Sequence, residues 1–428
     1  MTGLPGAPHL AREDTQLCLD GHSLDALARQ FGTPLFVYSR QAMRAALAAY
    51  QRALVGRKHL ICYAMKANSN LAVLQTFAQA GCGFDIVSGG ELARVLAAGG
   101  DPAKVVFSGV GKSPVEMRQA LSAGVRCFNV ESTSELDVLN GVALSLGRRA
   151  RISLRVNPDV DAGTHPYIST GLKGNKFGIA HGHAVAAYRH AAALPGLEVV
   201  GIDCHIGSQI EQVEPYLDAL DRLLDLVEAV EAAGIAIHHV DVGGGLGITY
   251  TDESPPSADE LVGRLLLRLD ARGHAGRELL FEPGRSLVGN AGVLLTEVMV
   301  LKPGQVDEGG KNFCIVDAAM NDLLRPAMYQ AYMRIEPCVL RSEPGSVWDV
   351  VGPVCESGDW LGRDRALAVA PGDVLAILSA GAYGMAMSSN YNTRPRAAEV
   401  MLDGNQVHLI RERETVAQLF AGERLTPV

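Results

Sequence analysis

The stretch Leu60-Ile61-Cys62-Tyr63-Ala64-Met65-Lys66-Ala67-Asn68 decides between two architectures. Its first five residues form an apolar run of the kind found in strands buried on both faces. An open doubly wound sheet usually follows its first strand with a glycine-rich phosphate loop. Here Lys66-Ala67-Asn68 follows instead, which turns the reading toward a closed barrel.

Outward from that stretch, short β-prone runs alternate with longer helical patterns between about residues 40 and 285. The candidate strands are Leu60–Ala64, Gly83–Val87, Val105–Phe107, Arg126–Val130, Ile152–Val156, Val199–Cys204, His238–Val242 and Leu279–Phe281. Apolar-periodic segments such as Leu71–Ala80, Gly89–Ala98, Pro114–Ala123 and Val213–Ala233 separate them, and Gln41–Leu54 leads. Eight strands with intervening helices in about 250 residues match a (β/α)8 barrel.

Past residue 286 the helical period fades. Strand-like runs Val293–Leu301, Asn312–Val316, Val347–Val351 and Val374–Leu378 are punctuated by Pro-Gly turns at 303–304, 344–345 and 371–372. The fold class expected is therefore α/β, a TIM-like (β/α)8 barrel with a C-terminal all-β domain. Residues 37–285 are assigned to the barrel and 286–428 to the β domain, with 1–36 joining the latter.

Composition sets the outer limits. The chain has 428 residues, 48% hydrophobic and 20% charged, which is the profile of a folded globular protein. Its net charge of −9 is spread along the chain without a Lys/Arg cluster, which argues against nucleic acid as a partner. Residues 1–10 lack the basic-then-apolar pattern of a secretory signal. The apolar stretch Val374–Met387 is broken by Ser379, Gly381 and Gly384, and a membrane span needs about 20 apolar residues. Eight scattered cysteines, with no CxxC pair or ligand spacing, point to a reducing cytoplasm and no metal site.

A barrel places its chemistry at the C-terminal ends of its strands. Just past or at those ends lie Lys66, Asp85, Ser108, Glu131, Asn157, His205, Gly243-Gly244-Gly245 and Glu282. One polar residue at a strand end means little. Eight together favour a site. Lys66 alone reads as a lysine snorkelling at a rim; in an apolar mouth its amine is also a nucleophile. His205, in Asp203-Cys204-His205-Ile206-Gly207-Ser208, reads as core packing or as a flat ring over a ligand. The glycine cluster Gly243–Gly245 reads as a tight turn or, after strand seven, as a phosphate loop. Glu282-Pro283-Gly284-Arg285 reads as a salt-bridged surface turn or as an acid beside a carboxylate clamp. In the β domain three motifs stand out: Asp322-Leu323-Leu324-Arg325-Pro326-Ala327-Met328-Tyr329, Cys355-Glu356-Ser357-Gly358-Asp359 and Gly381-Ala382-Tyr383-Gly384. A cysteine is usually inert packing. Flanked by acids and glycines, Cys355 reads as a proton donor on a loop.

Taken in order, these motifs resemble the bacterial diaminopimelate decarboxylase family, a branch of the alanine-racemase-like, fold type III pyridoxal-phosphate enzymes. Phe31-Gly32-Thr33-Pro34-Leu35, His165-Pro166-Tyr167-Ile168-Ser169-Thr170-Gly171 and Lys176-Phe177-Gly178 extend the match over nearly the whole chain. The resemblance implies decarboxylation of meso-2,6-diaminopimelate to L-lysine, the last step of lysine biosynthesis, with pyridoxal 5′-phosphate as cofactor. It implies that Lys66 carries the cofactor, His205 stacks on its ring and Glu282 faces its pyridine nitrogen. Asp85, Ser208, Gly245, Gly284 and Arg285 would complete the cofactor site. Arg285, Arg325 and Tyr329 would bind substrate carboxylate, Glu356 the distal amine, and Tyr383 both substrate and cofactor. Cys355 or Lys66 would return the final proton; an ordinary thiol, with a pKa of about 8.5, is protonated at neutral pH. The family also implies a head-to-tail homodimer with shared active sites.

Three other activities compete. Ornithine and arginine lack a distal carboxylate, so a decarboxylase for them would leave an arginine without a partner. A racemase would need a second base. An inactive homologue would tolerate loss of Lys66 or Cys355, and both are present.

Overall fold

The computed structural model describes residues 3–161, 175–304 and 310–427. The motif His165–Gly171 lies outside the described residues. Two compact units make up the chain: Met1–Met43, Thr249–Glu253 and Val288–Val428 form one, and Arg44–Ile248 with Ser254–Leu287 the other.

The second unit is a closed parallel barrel. Its strands are β1 (His59–Ala64), β2 (Gly83–Ile86), β3 (Val105–Phe107), β4 (Cys127–Val130), β5 (Ala150–Asn157), β6 (Leu197–Asp203), β7 (His239–Asp241) and β8 (Glu278–Phe281). Each pairs in parallel with the next, and β8 pairs with β1 to close the ring. The eight strand positions match the sequence reading to within two residues at either end.

Why the strands sit in this register follows from their period of two. Leu60, Cys62, Val106, Cys127, Val200 and Leu280 pack together as one apolar cluster. Two residues farther along three of these strands, on the same faces, come Ser108, Asn129 and Glu282, all buried. The barrel is thus apolar below and polar toward its C-terminal end.

Five of the helices that return the chain begin at side-chain caps. Asn70, Ser88, Ser132 and Ser257 each accept a hydrogen bond from the first turn of their helices, which run Leu71–Gln79, Gly89–Ala97, Thr133–Ser145 and Ala258–Ala271. Ser113 and Glu116 form a reciprocal capping box on Pro114–Ala123. Each cap contributes about 1 kcal/mol and fixes where the helix starts, so the short loops leaving the strand ends have little freedom.

In the other unit, Leu35–Ser39 lies between Gly292–Lys302, antiparallel, and Ala398–Asp403, parallel. The N-terminal segment therefore supplies a central strand to this sheet. Val374–Ile377 and Phe313–Val316 also pair with Gly292–Lys302. Leu35, Val37, Leu295, Ala376 and Val400 form its core with Leu17 and Leu24. Among the described residues, no helix is long and apolar enough to cross a membrane.

Candidate active site

Lys66 sits in a one-turn helix, Met65–Ala67, directly after β1. Its Nζ donates to Asp85 Oδ2 at 3.3 Å, and the lysine side chain is 38% exposed against 1% for Asp85. A buried carboxylate thus aims an accessible amine at the barrel mouth.

Beside it lies the glycine loop. Gly243 and Gly245 have φ of 68° and 105°, where residues with a Cβ are strained. The loop is also too tightly packed for side chains. A Cβ on Gly243 would lie 2.4 Å from the Cys204 carbonyl oxygen, on Gly244 2.0 Å from that of Glu282, and on Gly245 2.3 Å from that of Gly207. Behind the loop, Tyr216 donates its hydroxyl to the Gly244 carbonyl at 3.2 Å. In front, the Gly244 N–H donates to His205 Nδ1 at 3.2 Å. A ring nitrogen that accepts carries no proton, so neutral His205 is held as the Nε2–H tautomer. Burial, then the charges of Lys66 and Arg155, push its pKa well below the usual range. Ser208 Oγ accepts from Arg285 Nε and Nη2 at 3.3 and 2.9 Å. Backbone, hydroxyl and guanidinium donors therefore converge on one rim.

The polar interior lies at the C-terminal ends of the strands. Glu282 is buried and accepts from Asn129 Nδ2 at 3.2 Å, while Asn129 also donates to Ser108 Oγ at 3.1 Å. Burial, followed by the charges of Asp241, Asp85 and Asp203, raises the Glu282 pKa well above the carboxylate range, with Lys66 opposing. Oxygens of Asp203, Asp241 and Glu282 lie within 4.8 Å of one another.

Glu131 is different. It accepts from Arg155 at 2.8 Å and from the Gly109 N–H at 3.2 Å with one oxygen, and from the Gly178 N–H at 2.8 Å with the other. It ties loops together and offers little to a ligand. Asn157 Oδ1 likewise accepts from the Asp159 N–H at 2.9 Å. The sequence reading assigned no role to Asn129, Arg155, Asp203 or Asp241. Each lies two residues before a strand-end residue that it did select, on the same face of its strand.

Gly284 also belongs to the barrel unit, where a Cβ would lie 3.1 Å from the Ala64 carbonyl oxygen; the remaining sequence candidates belong to the other unit. Arg325 is buried and opens a short helix, Arg325–Tyr329. Its guanidinium lies 5.2 Å from the Tyr250 ring centroid and 5.9 Å from that of Tyr329, within cation–π range of both. Asp359 accepts from the N–H groups of Met320 and Val354, both at 2.7 Å, and so shapes the loop that carries Cys355. Cys355 is exposed, and its N–H donates to Asn392 Oδ1 at 2.8 Å. Glu356 accepts from the Tyr391 hydroxyl at 3.5 Å. Tyr383 has φ of 56°, held between Gly381 and Gly384. A Cβ on Gly381 would lie 1.9 Å from the Val288 carbonyl oxygen, so this turn has one solution.

Comparison with known proteins shows the family. Residues 40–289 match the family described as pyridoxal-dependent decarboxylase, pyridoxal binding domain. A diaminopimelate decarboxylase of Pseudomonas aeruginosa is 59% identical over 414 residues, covering 97% of this chain and 98% of that protein. One of Vibrio cholerae is 56% identical over 416 residues, covering 97% and 98%. The crystal structure of diaminopimelate decarboxylase from M. jannaschii in co-complex with L-lysine superposes with a TM-score of 0.92. It is 40% identical, with 99% of each chain covered.

Proposed function

This chain belongs to the diaminopimelate decarboxylase family of pyridoxal-dependent decarboxylases, and from that premise we propose how its residues share the reaction. The enzyme uses pyridoxal phosphate to convert meso-2,6-diaminopimelate to L-lysine and carbon dioxide. The barrel rim suits such a cofactor: an accessible amine, a glycine loop with Ser208 and Arg285 beside it, and a buried acid at one mouth.

Lys66 is the residue that holds the cofactor, and Asp85 orients its amine. Gly245, Gly284, Ser208 and Arg285 would hold the phosphate, and neutral His205 would lie against the ring. Glu282 keeps a proton at the ring nitrogen. The same burial and crowding by carboxylates that raise its pKa in the chain alone make this site favour a positive charge opposite it, as a protonated ring nitrogen would bring. When bound, pyridoxal phosphate supplies a protonated ring that accepts the electron pair left by departing carbon dioxide.

Substrate choice is a matter of charge. Diaminopimelate carries an ammonium and a carboxylate at its far end. Arg285, Arg325 and Tyr329 bind carboxylate, Glu356 takes the distal ammonium, and Tyr383 contacts substrate and cofactor. Cys355 delivers the last proton, with the Lys66 ammonium as the alternative donor. Residues 37–285 hold the cofactor, and 1–36 with 286–428 contribute substrate and dimer contacts. We place the enzyme in the cytoplasm as a homodimer whose Cys355-Glu356 loop completes the neighbouring subunit's site. The exposure of Cys355 supports that arrangement.

The observation that carries the site assignment is the Lys66 amine beside the glycine loop and the buried Glu282. Two measurements test it. Carbon dioxide release from diaminopimelate, but not from ornithine or arginine, is expected. Borohydride reduction followed by digestion should leave the pyridoxyl label on Lys66. A label elsewhere ends the assignment.

A further inference from the structure

Asp241, the last residue of β7, has two different neighbours. Its Oδ1 accepts the Gly243 N–H at 2.9 Å, at the root of the glycine loop. Its Oδ2 is fully buried and has no hydrogen-bond donor among the described residues. The carboxylates of Glu282 and Asp203 lie within 4.8 Å. We propose that Asp241 is a positioning residue for the reaction, fixing the glycine loop with one oxygen and sharing a proton with Glu282 through the other. This rests on the reading that Glu282 faces the ring nitrogen.

Two ionised carboxylates at such separation in a buried site repel strongly, and one proton between them removes the repulsion. The groups facing the pair include Asp203 from β6, Asp85 from β2, Arg155 from β5, Arg126 before β4 and Lys66, together with the thiols of Cys62 and Cys127. Arg155 hydrogen-bonds Glu131 and Lys66 hydrogen-bonds Asp85. Anions thus outnumber cations around the trio. Burial, with Asp85 adding to it, raises the Asp241 pKa to about 7, while the Gly243 N–H, the nearby Glu282 carboxyl and Arg126 pull it down. A proton held there can leave or return near neutrality without any rearrangement of the loop. Asp241 in this way links the phosphate grip to the protonation of the acid at the ring.

The test uses full-length holoenzyme. Infrared spectra recorded against pH should show a buried carboxyl losing its proton near neutral pH, and the visible cofactor band should inflect over the same range. In Asp241→Asn both changes should vanish. In Asp203→Asn the inflection should move to lower pH by about one unit, because one neighbouring negative charge is gone. The second variant serves if the first does not fold. Wild-type spectra without a carboxyl titrating between about pH 6 and 8, or an Asp203→Asn inflection that stays in place, overturn the proposal. A Glu282→Gln holoenzyme with an unaltered visible band instead sinks the reading that Glu282 faces the ring. The infrared titration then judges Asp241 by itself. Melting temperature is followed for each variant, since a merely structural role would move it without touching either titration.

Discussion

The Ser208 hydroxyl receives two hydrogen bonds from one guanidinium, that of Arg285, at 3.3 Å from Nε and 2.9 Å from Nη2. Only a planar fork can reach one oxygen this way from two nitrogens, so a lysine is no substitute. Arg285→Lys should weaken pyridoxal phosphate binding by about tenfold or more, the effect of losing a charge-assisted hydrogen bond. Ser208→Ala should cost less, about fivefold. Equilibrium dialysis of the cofactor checks both, and unchanged retention in the lysine variant would remove Arg285 from the phosphate grip.

Glu356 sits on an exposed loop with the Tyr391 hydroxyl as its recorded partner. Glu356→Gln keeps the shape and removes the charge. The KM for diaminopimelate should rise by about tenfold, as expected for one charged hydrogen bond, with a smaller change in kcat. Steady-state kinetics decides; an unaltered KM means the distal ammonium is bound elsewhere.

His239 should make the fold acid-sensitive. It lies opposite Gly201, and a Cβ at Gly201 would lie 2.1 Å from its Nε2, so the imidazole fills the space that glycine leaves. Burial, then Arg126 and Arg151, lowers its pKa to about 3. Below its ordinary value of about 6.5 the unfolded chain takes up a proton that the folded chain refuses. The stability His239 confers is therefore complete above that value and drains away as pH falls toward 3. His239→Asn should flatten the slope of Tm against pH between about 6.5 and 5, whatever it does at pH 8. Parallel slopes would assign the acid lability to another group.

Gly141 lies inside the helix Thr133–Ser145 and Gly263 inside Ala258–Ala271. A Cβ at either position would meet nothing within 4 Å, and neither has positive φ. Alanine there removes backbone entropy from the unfolded chain without a clash. Each substitution should add about 0.5–1 kcal/mol, read from urea denaturation midpoints. A loss of stability would mean that the helix face is occupied by something else.

The barrel was legible because its strands are short apolar runs separated by amphipathic helices. Glu214–Ala232 shows its buried stripe at Leu217, Leu220, Leu224 and Val227. Other helices were not singled out. Thr133–Ser145 carries Asn140 and Gly141, and Ala184–Ala193 is alanine-rich with a weak apolar stripe; in both, capping and packing outweigh local pattern. The site was legible only at its rim. Sequence reading looked just beyond each strand, where Lys66 and Glu282 lie. It passed over the polar residues one pleat earlier: Asn129, Arg155, Asp203 and Asp241. A polar residue inside an otherwise apolar strand, two places before a polar end, is the signal that would have found them. In the β unit the central strand Leu35–Ser39 went unassigned although Leu35-Phe36-Val37-Tyr38 is a β-prone run, because its partners lie more than 250 positions away and the run stands alone before the first barrel helix.

Of the eight cysteines, seven are buried, and burial raises the thiol pKa of each. Thiolates, not thiols, react with electrophiles, so these seven are slow targets. Cys355 alone among the eight is exposed. A maleimide dye should therefore find a single address on each native polypeptide, with no engineering. Its labelling rate becomes an optical gauge of whether that loop stands in solvent or is covered by a second copy of the chain.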